Sequence, residues 1–200
     1  MNAPVAAPAI DIAASEFILG GQKSGKSRRG ESLAAAWLAH SPAHKAVMIA
    51  TAQAWDDEMH QRIALHQFER GARVPALETI EEPWRVPEAI MAASTPQTLV
   101  LVDCLTLWLT NLMMPADLAP ERASAPEWQD GVALLPEALA TAQGPVVLVS
   151  NEIGLGVIPL GAETRAFVDV LGRLNQLVAA ACERVTLMAA GLPLRLKGGG

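Results

Sequence analysis

Eight residues, Gly20–Ser27 (GGQKSGKS), constrain this chain more than any others. They keep the spacing G-x-x-x-x-G-K-S, with a short apolar run, Phe17–Leu19, before them and a helical pattern, Ser27–His40, after them. That context matters more than the letters. Glycines let the loop curl until successive backbone N–H groups point inward at phosphate oxygens. The helix that follows adds the positive end of its dipole. Lys26 is placed to bridge the outer phosphates, and the Ser27 hydroxyl to ligate Mg²⁺. A strand–loop–helix of this kind is expected at the carboxyl edge of a parallel sheet.

The rest of the chain fits such a sheet. Apolar runs recur at Ala46–Thr51 (AVMIAT), Leu99–Asp103 (LVLVD), Pro145–Ser150 (PVVLVS) and Val185–Ala189. They are apolar throughout instead of alternating, the mark of parallel strands covered on both faces. Helical windows lie between them, at Asp56–Arg70 and at Thr164–Ala181, where Phe167, Val170, Leu171, Leu174, Leu177, Val178 and Ala181 follow the 3.6 period. The predicted fold class is therefore α/β: one P-loop domain with a mostly parallel, doubly wound sheet. Such sheets bind ligands at the carboxyl ends of their strands. The expected division is a flexible extension over 1–16, a nucleotide-binding catalytic domain over 17–197 and a tail over 198–200. Residues 115–130, rich in Pro, Ala and charge, read as a surface excursion.

Composition removes several function classes. A net charge of −6 argues against a sequence-blind nucleic-acid binder, which usually presents a basic face. Residues 1–16 have no basic start and are broken by Pro4, Pro8 and Asp11, so no export signal is expected. The apolar stretch Leu99–Met114 contains Asp103, whose insertion would cost about 2.5–3.5 kcal/mol, and it is short of a membrane span. Cys104 and Cys182 lack metal spacing and read as small buried residues. The expected location is the cytoplasm.

A phosphate loop needs a magnesium-side acid, commonly one that ends an apolar strand. Asp103 fits, with Ser27 as the second metal ligand; Asp56, Asp57 and Glu58 form an alternative cluster that reads better as a negative first helical turn. Arg62, His66 and Arg70 are four apart and share a helical face. Guanidiniums beside an imidazole favour its uncharged, nucleophilic form, and such a histidine can attack a phosphoryl group. By pattern alone a solvated face is the commoner explanation of the three. Asn151, Glu152, Gly154 and Gly156, at another strand's carboxyl end, suit either substrate contact or a plain turn.

Taken together, GGQKSGKSRRGE, IATAQAWDDEMHQRIALHQFERG, LVDCLTLWLTNL, VVLVSNEIGLGVIP and RAFVDVLGRLNQLVAAACERV resemble the adenosylcobinamide kinase / adenosylcobinamide-phosphate guanylyltransferase family in order and rough spacing, from about Phe17 to Lys197. The resemblance implies a bifunctional enzyme of cobalamin biosynthesis. Such an enzyme phosphorylates adenosylcobinamide with GTP or ATP, then transfers GMP from GTP to the phosphate. It implies that GMP rides on the histidine of the RIxxH block, here His66, with Lys26 as its catalytic companion. It implies nucleotide contacts at Gly20, Gly21, Gln22, Lys23, Ser24, Gly25, Lys26 and Ser27, at Ala50, Thr51 and Ala52, at Gln67, Phe68, Glu69 and Arg70, and at Glu78 and Asp103. It further implies that the sheet is RecA-like and the protein a homotrimer, with corrinoid and nucleoside triphosphate as substrates and part of the site between subunits. Two positions depart from the family pattern. Lys23 stands where Arg is frequent and loses its planar fork, and Asp103 stands where Glu is frequent. A plain small-molecule kinase and a non-enzymatic nucleotide switch are the competing interpretations of the same loop.

Overall fold

The computed structural model describes residues 11–54, 57–114 and 125–198, apart from the side chain of Arg62. Asp56 of the acidic cluster and residues 115–124 of the expected excursion lie outside that set. Seven strands form one sheet in the order β3-β2-β4-β5-β1-β6-β7. In chain order the elements are β1 (Ser15–Gly20), α1 (Lys26–His40), β2 (Lys45–Ala50), α2 (Asp57–Arg73), β3 (Leu77–Glu81), α3 (Val86–Ala93) and β4 (Thr98–Asp103). They continue with α4 (Leu105–Met113), α5 (Trp128–Thr141), β5 (Val146–Asn151), α6 (Ala162–Ala181), β6 (Arg184–Ala189) and β7 (Leu192–Lys197). All strand pairs are parallel except β6 with β7. The expected doubly wound, mostly parallel α/β sheet is therefore the observed one.

Side chains alternate between two apolar layers, as a pleated strand requires. On β4, Val100 and Val102 join Trp108, Leu109, Leu135, Leu171 and Leu174 under α3 to α6. Leu99 and Leu101 turn the other way, toward Leu33 and Ala34 of α1. Every apolar residue of β4 is thus buried, which is why the strand reads as a continuous run. Both cysteines are buried and unpaired; burial pushes the Cys104 thiol up to about 12 and Cys182 up to about 11.

Sequence and structure differ at several places. β3, α3, α5 and β7 emerge where no element was expected. α5 opens at Trp128, inside the stretch read as a surface excursion. β1 starts at Ser15, and the chain before it is bound: Arg184 donates to the carbonyl of Asp11 at 2.7 Å and pairs with its carboxylate. Among the described residues, no helix is long and apolar enough to cross a membrane.

The register lines up four strand ends. Gly20 pairs with Asn151, Ala50 pairs with Asp103, and β5 lies between β1 and β4. The loop after β1, the segment after β2 and the carboxylate of β4 thereby share one edge of the sheet.

Candidate nucleotide and guanylyl-transfer site

The loop after β1 is shaped by backbone that few residues can adopt. Gly20 has φ of 154° and Gly25 φ of 99°. A Cβ on Gly20 would lie 2.5 Å from the Met188 carbonyl and 2.6 Å from Ser24 Oγ, so only glycine fits. The loop is braced from both neighbours: Glu152 N–H donates to the Gly20 carbonyl at 3.1 Å, and Gly191 N–H to the Ser24 carbonyl at 3.0 Å. The second brace comes from the β6–β7 turn. Ala190 and Gly191 in left-handed backbone, followed by the alternation L-P-L-R-L-K, were the sequence signal for this hairpin.

Gly21, Gln22 and Lys23 form the exposed rim of the loop, while Ser24 and Lys26 are buried. Lys26 Nζ donates to the Gly21 carbonyl at 2.6 Å, closing the loop on itself. Burial lowers the lysine's pKa, against the opposing pull of Cys104 and Asp103. Asp103 sits at the end of β4 and accepts a hydrogen bond from the Ser27 hydroxyl. Burial raises its pKa, while that bond, His66 and Lys26 favour its charge; Glu31 opposes it. His66 is exposed on α2, yet near enough for Asp103 to feel its charge. Thus Lys26 and Ser27 at the start of α1 and Asp103 at the end of β4 lie together at this edge of the sheet, and His66 of α2 is close enough for its charge to act on Asp103.

The remaining predicted positions divide. Ala50 and Ala52 are half-buried at the same edge of the sheet. Thr51 between them is fully buried and its polar groups are used internally: N–H to the Asp103 carbonyl at 3.2 Å, and hydroxyl to Cys104 N and O, each at 2.8 Å. Its carbonyl accepts from Asn111 Nδ2 at 2.8 Å. Gln67, Phe68 and Glu69 are exposed on α2, and Arg70 donates to Thr79 Oγ1 at 3.2 Å. Glu78 is not brought to this edge. It pairs with Val47, three positions before the Glu81–Ala50 pair that marks the strand end. Sequence reasoning missed Asn111 and Glu31, whose roles depend on contacts across 60 and 42 positions of chain.

A braced glycine loop at the carboxyl end of β1, with the acid-bearing strand one position beyond its neighbour, defines a RecA-like P-loop nucleotide-binding protein. Residues 16–196 match the CobU family model, cobinamide kinase / cobinamide phosphate guanyltransferase, and the chain belongs to that family. It is 47% identical over 184 residues to the bifunctional adenosylcobalamin biosynthesis protein CobP of Pseudomonas aeruginosa, covering 92% of this chain and 97% of that one. It is 34% identical over 188 residues to the bifunctional adenosylcobalamin biosynthesis protein CobU of Salmonella typhimurium, covering 90% and 98%. Among solved structures, the flagellar accessory protein FlaH of Methanocaldococcus jannaschii superposes with a TM-score of 0.51 over 94% of this chain and 80% of that one; at 13% identity the likeness is one of fold.

Proposed function

We propose that this chain phosphorylates adenosylcobinamide with a nucleoside triphosphate, then transfers GMP from GTP to adenosylcobinamide phosphate through a GMP–His66 intermediate. One observation supports the second half: the charge of His66 on α2 acts on the Asp103 carboxyl, to which Ser27 at the start of α1 donates a hydrogen bond. In this reading a nucleophile and a triphosphate cradle lie at one edge of the sheet.

In this reading the triphosphate lies in the Gly20–Ser27 loop. Lys26 shares its hydrogens between the Gly21 carbonyl and phosphate oxygens and offsets the charge that develops. The uncharged imidazole of His66 attacks the α-phosphorus. A P–N bond forms, the bridging P–O bond breaks, and pyrophosphate leaves. A phosphate oxygen of adenosylcobinamide phosphate then attacks the same phosphorus, forming the new P–O bond and freeing His66. The kinase step needs no covalent histidine, because its nucleophile is the substrate hydroxyl. Ala50 and Ala52, with the 67–70 face of α2, wall the nucleotide.

The donor set fits Mg²⁺. Ser27 and Asp103 present hard oxygens to each other, and the burial that disfavours Asp103 as an anion would be offset by a cation. Mg²⁺ commonly takes one or two carboxylates with substrate phosphates. Held by Ser27 and Asp103, it would neutralise charge across the phosphates.

The working unit is a homotrimer whose corrinoid site is completed between subunits. Leu65 and Phe68 of α2, and Leu155, Val157, Ile158 and Leu160 after β5, support this, since exposed apolar side chains in such number mark contact surfaces. The enzyme works in the cytoplasm, where nucleoside triphosphates are held.

The test is His66→Ala incubated with α-labelled GTP. The acid-labile label should fall below about a thousandth of wild type, as for loss of a covalent nucleophile, while a measurable kinase rate with ATP and adenosylcobinamide persists. A mutant that still carries the label would remove His66 from the reaction. Absence of any label in the parent enzyme would favour the plain kinase, and absence of turnover with either corrinoid would favour the switch.

A further inference from the structure

Among the described side chains of α2, none is buried. Met59, Ile63 and Arg70 are only half-buried, so apolar packing holds the helix weakly and its polar tethers weigh more in fixing its rotation. One tether is a fork. Arg73, in the last turn, gives Nε to Glu31 Oε2 at 2.7 Å and a terminal guanidinium nitrogen to Glu31 Oε1 at 3.2 Å. Glu31 is on α1 and is only 5% exposed. Two parallel bonds between planar groups fix orientation as well as distance. Arg73 also donates to Glu69, one turn back, at 3.3 Å. Its pKa is raised, foremost by the bond to Glu31.

Both ends of the fork are in phase with the chemistry. Glu31 follows Ser27 by one turn of α1, so the two side chains share a face. Arg73 follows His66 by seven residues, about two turns and about 10 Å of α2, so these two share a face as well. The two helix faces meet at the Glu31–Arg73 fork, and the same faces carry Ser27, which donates to Asp103, and His66, whose charge acts on Asp103.

We propose that Arg73 and Glu31 are positioning residues for guanylyl transfer: their fork sets the rotation of α2 that turns His66 toward the phosphate loop. The proposal rests on His66 as the GMP carrier. It predicts a split between the two activities, because the kinase step does not use α2 as a nucleophile.

The experiment uses the full chain and single-turnover labelling with α-labelled GTP at saturation. Kinase turnover with ATP and the dissociation constant for GTP are measured in parallel. Arg73→Ala should slow GMP–enzyme formation at least tenfold while kinase turnover and GTP affinity stay within about twofold. Arg73→Lys, which keeps the charge and loses the fork, should fall between Arg73→Ala and wild type. Combining Arg73→Ala with Glu31→Gln should slow labelling no further than the worse single variant, since both remove one interaction. Wild-type labelling in Arg73→Ala, with His66→Ala unlabelled, overturns the fork and leaves the histidine assignment standing. A labelled His66→Ala overturns the histidine assignment itself. Equal losses in labelling, kinase turnover and GTP binding would show a merely structural pair and also overturn the proposal.

Discussion

At the scale of single residues, the site depends on side chains that never meet a substrate. Asn111 is 2% exposed and gives both amide hydrogens away, to the Thr51 carbonyl at 2.8 Å and the Pro83 carbonyl at 3.1 Å. It joins the segments that follow β2 and β3, and Thr51 in turn bonds Cys104, next to Asp103. Removing the amide leaves the buried Thr51 carbonyl and the half-buried Pro83 carbonyl without that donor, at a cost of about 1–3 kcal/mol. Asn111→Ala should therefore lower the urea midpoint of unfolding with the slope unchanged. An unaltered midpoint would show that the bonds are replaced elsewhere. No local pattern marks this residue, because an Asn in an apolar helix looks the same whether it faces solvent or joins two distant segments.

At the scale of elements, the phosphate loop is a strained turn supported by the β6–β7 hairpin. A methyl group at residue 20 would press on the Met188 carbonyl, which strand pairing holds in place, and would have to do so at φ of 154°. Strain of about 1–3 kcal/mol is expected, equal to roughly a ten- to hundredfold loss of nucleotide affinity. Isothermal titration of Gly20→Ala with GTP checks this, and undiminished affinity would show that the loop tolerates a different path. What was legible in the chain divides along the same physical lines. β1, β2, β4 and β5 are buried on both faces and so announce themselves as apolar runs. β3 is an edge strand with only Leu77 buried, so LETIE carries no apolar run. α5 contains Pro136, and its first turn lies in a Pro- and charge-rich stretch, which hides its apolar face. Lys26, Ser27 and Asp103 could be placed by local pattern. The electrostatic influence of His66 on Asp103 could not, since it depends on how a helix with no buried side chain among those described leaves β2.

At the scale of the whole molecule, the two faces of the sheet are unequally covered. α3 to α6 line one layer, while α1 is the main helix on the other. Among the described side chains of α2 none is fully buried, and the 153–160 segment presents Leu155, Val157, Ile158 and Leu160 at 78% to 97% exposure. A homotrimer would cover such surfaces with further copies of the chain. Sedimentation equilibrium should return a mass of three chains, and Leu160→Glu with Val157→Glu should shift it toward one. A monomeric parent protein would exclude a site shared between subunits.

The bond from Lys26 to the Gly21 carbonyl makes the resting loop its own competitor. The ammonium has three hydrogens, so an arriving anion shares it with that internal acceptor, and the donor already committed is a fixed cost whatever the anion's length. A lone phosphate meets the cost with few contacts, whereas a triphosphate spreads it over the full row of loop amides. At this loop an intact triphosphate is thereby favoured over shorter anions.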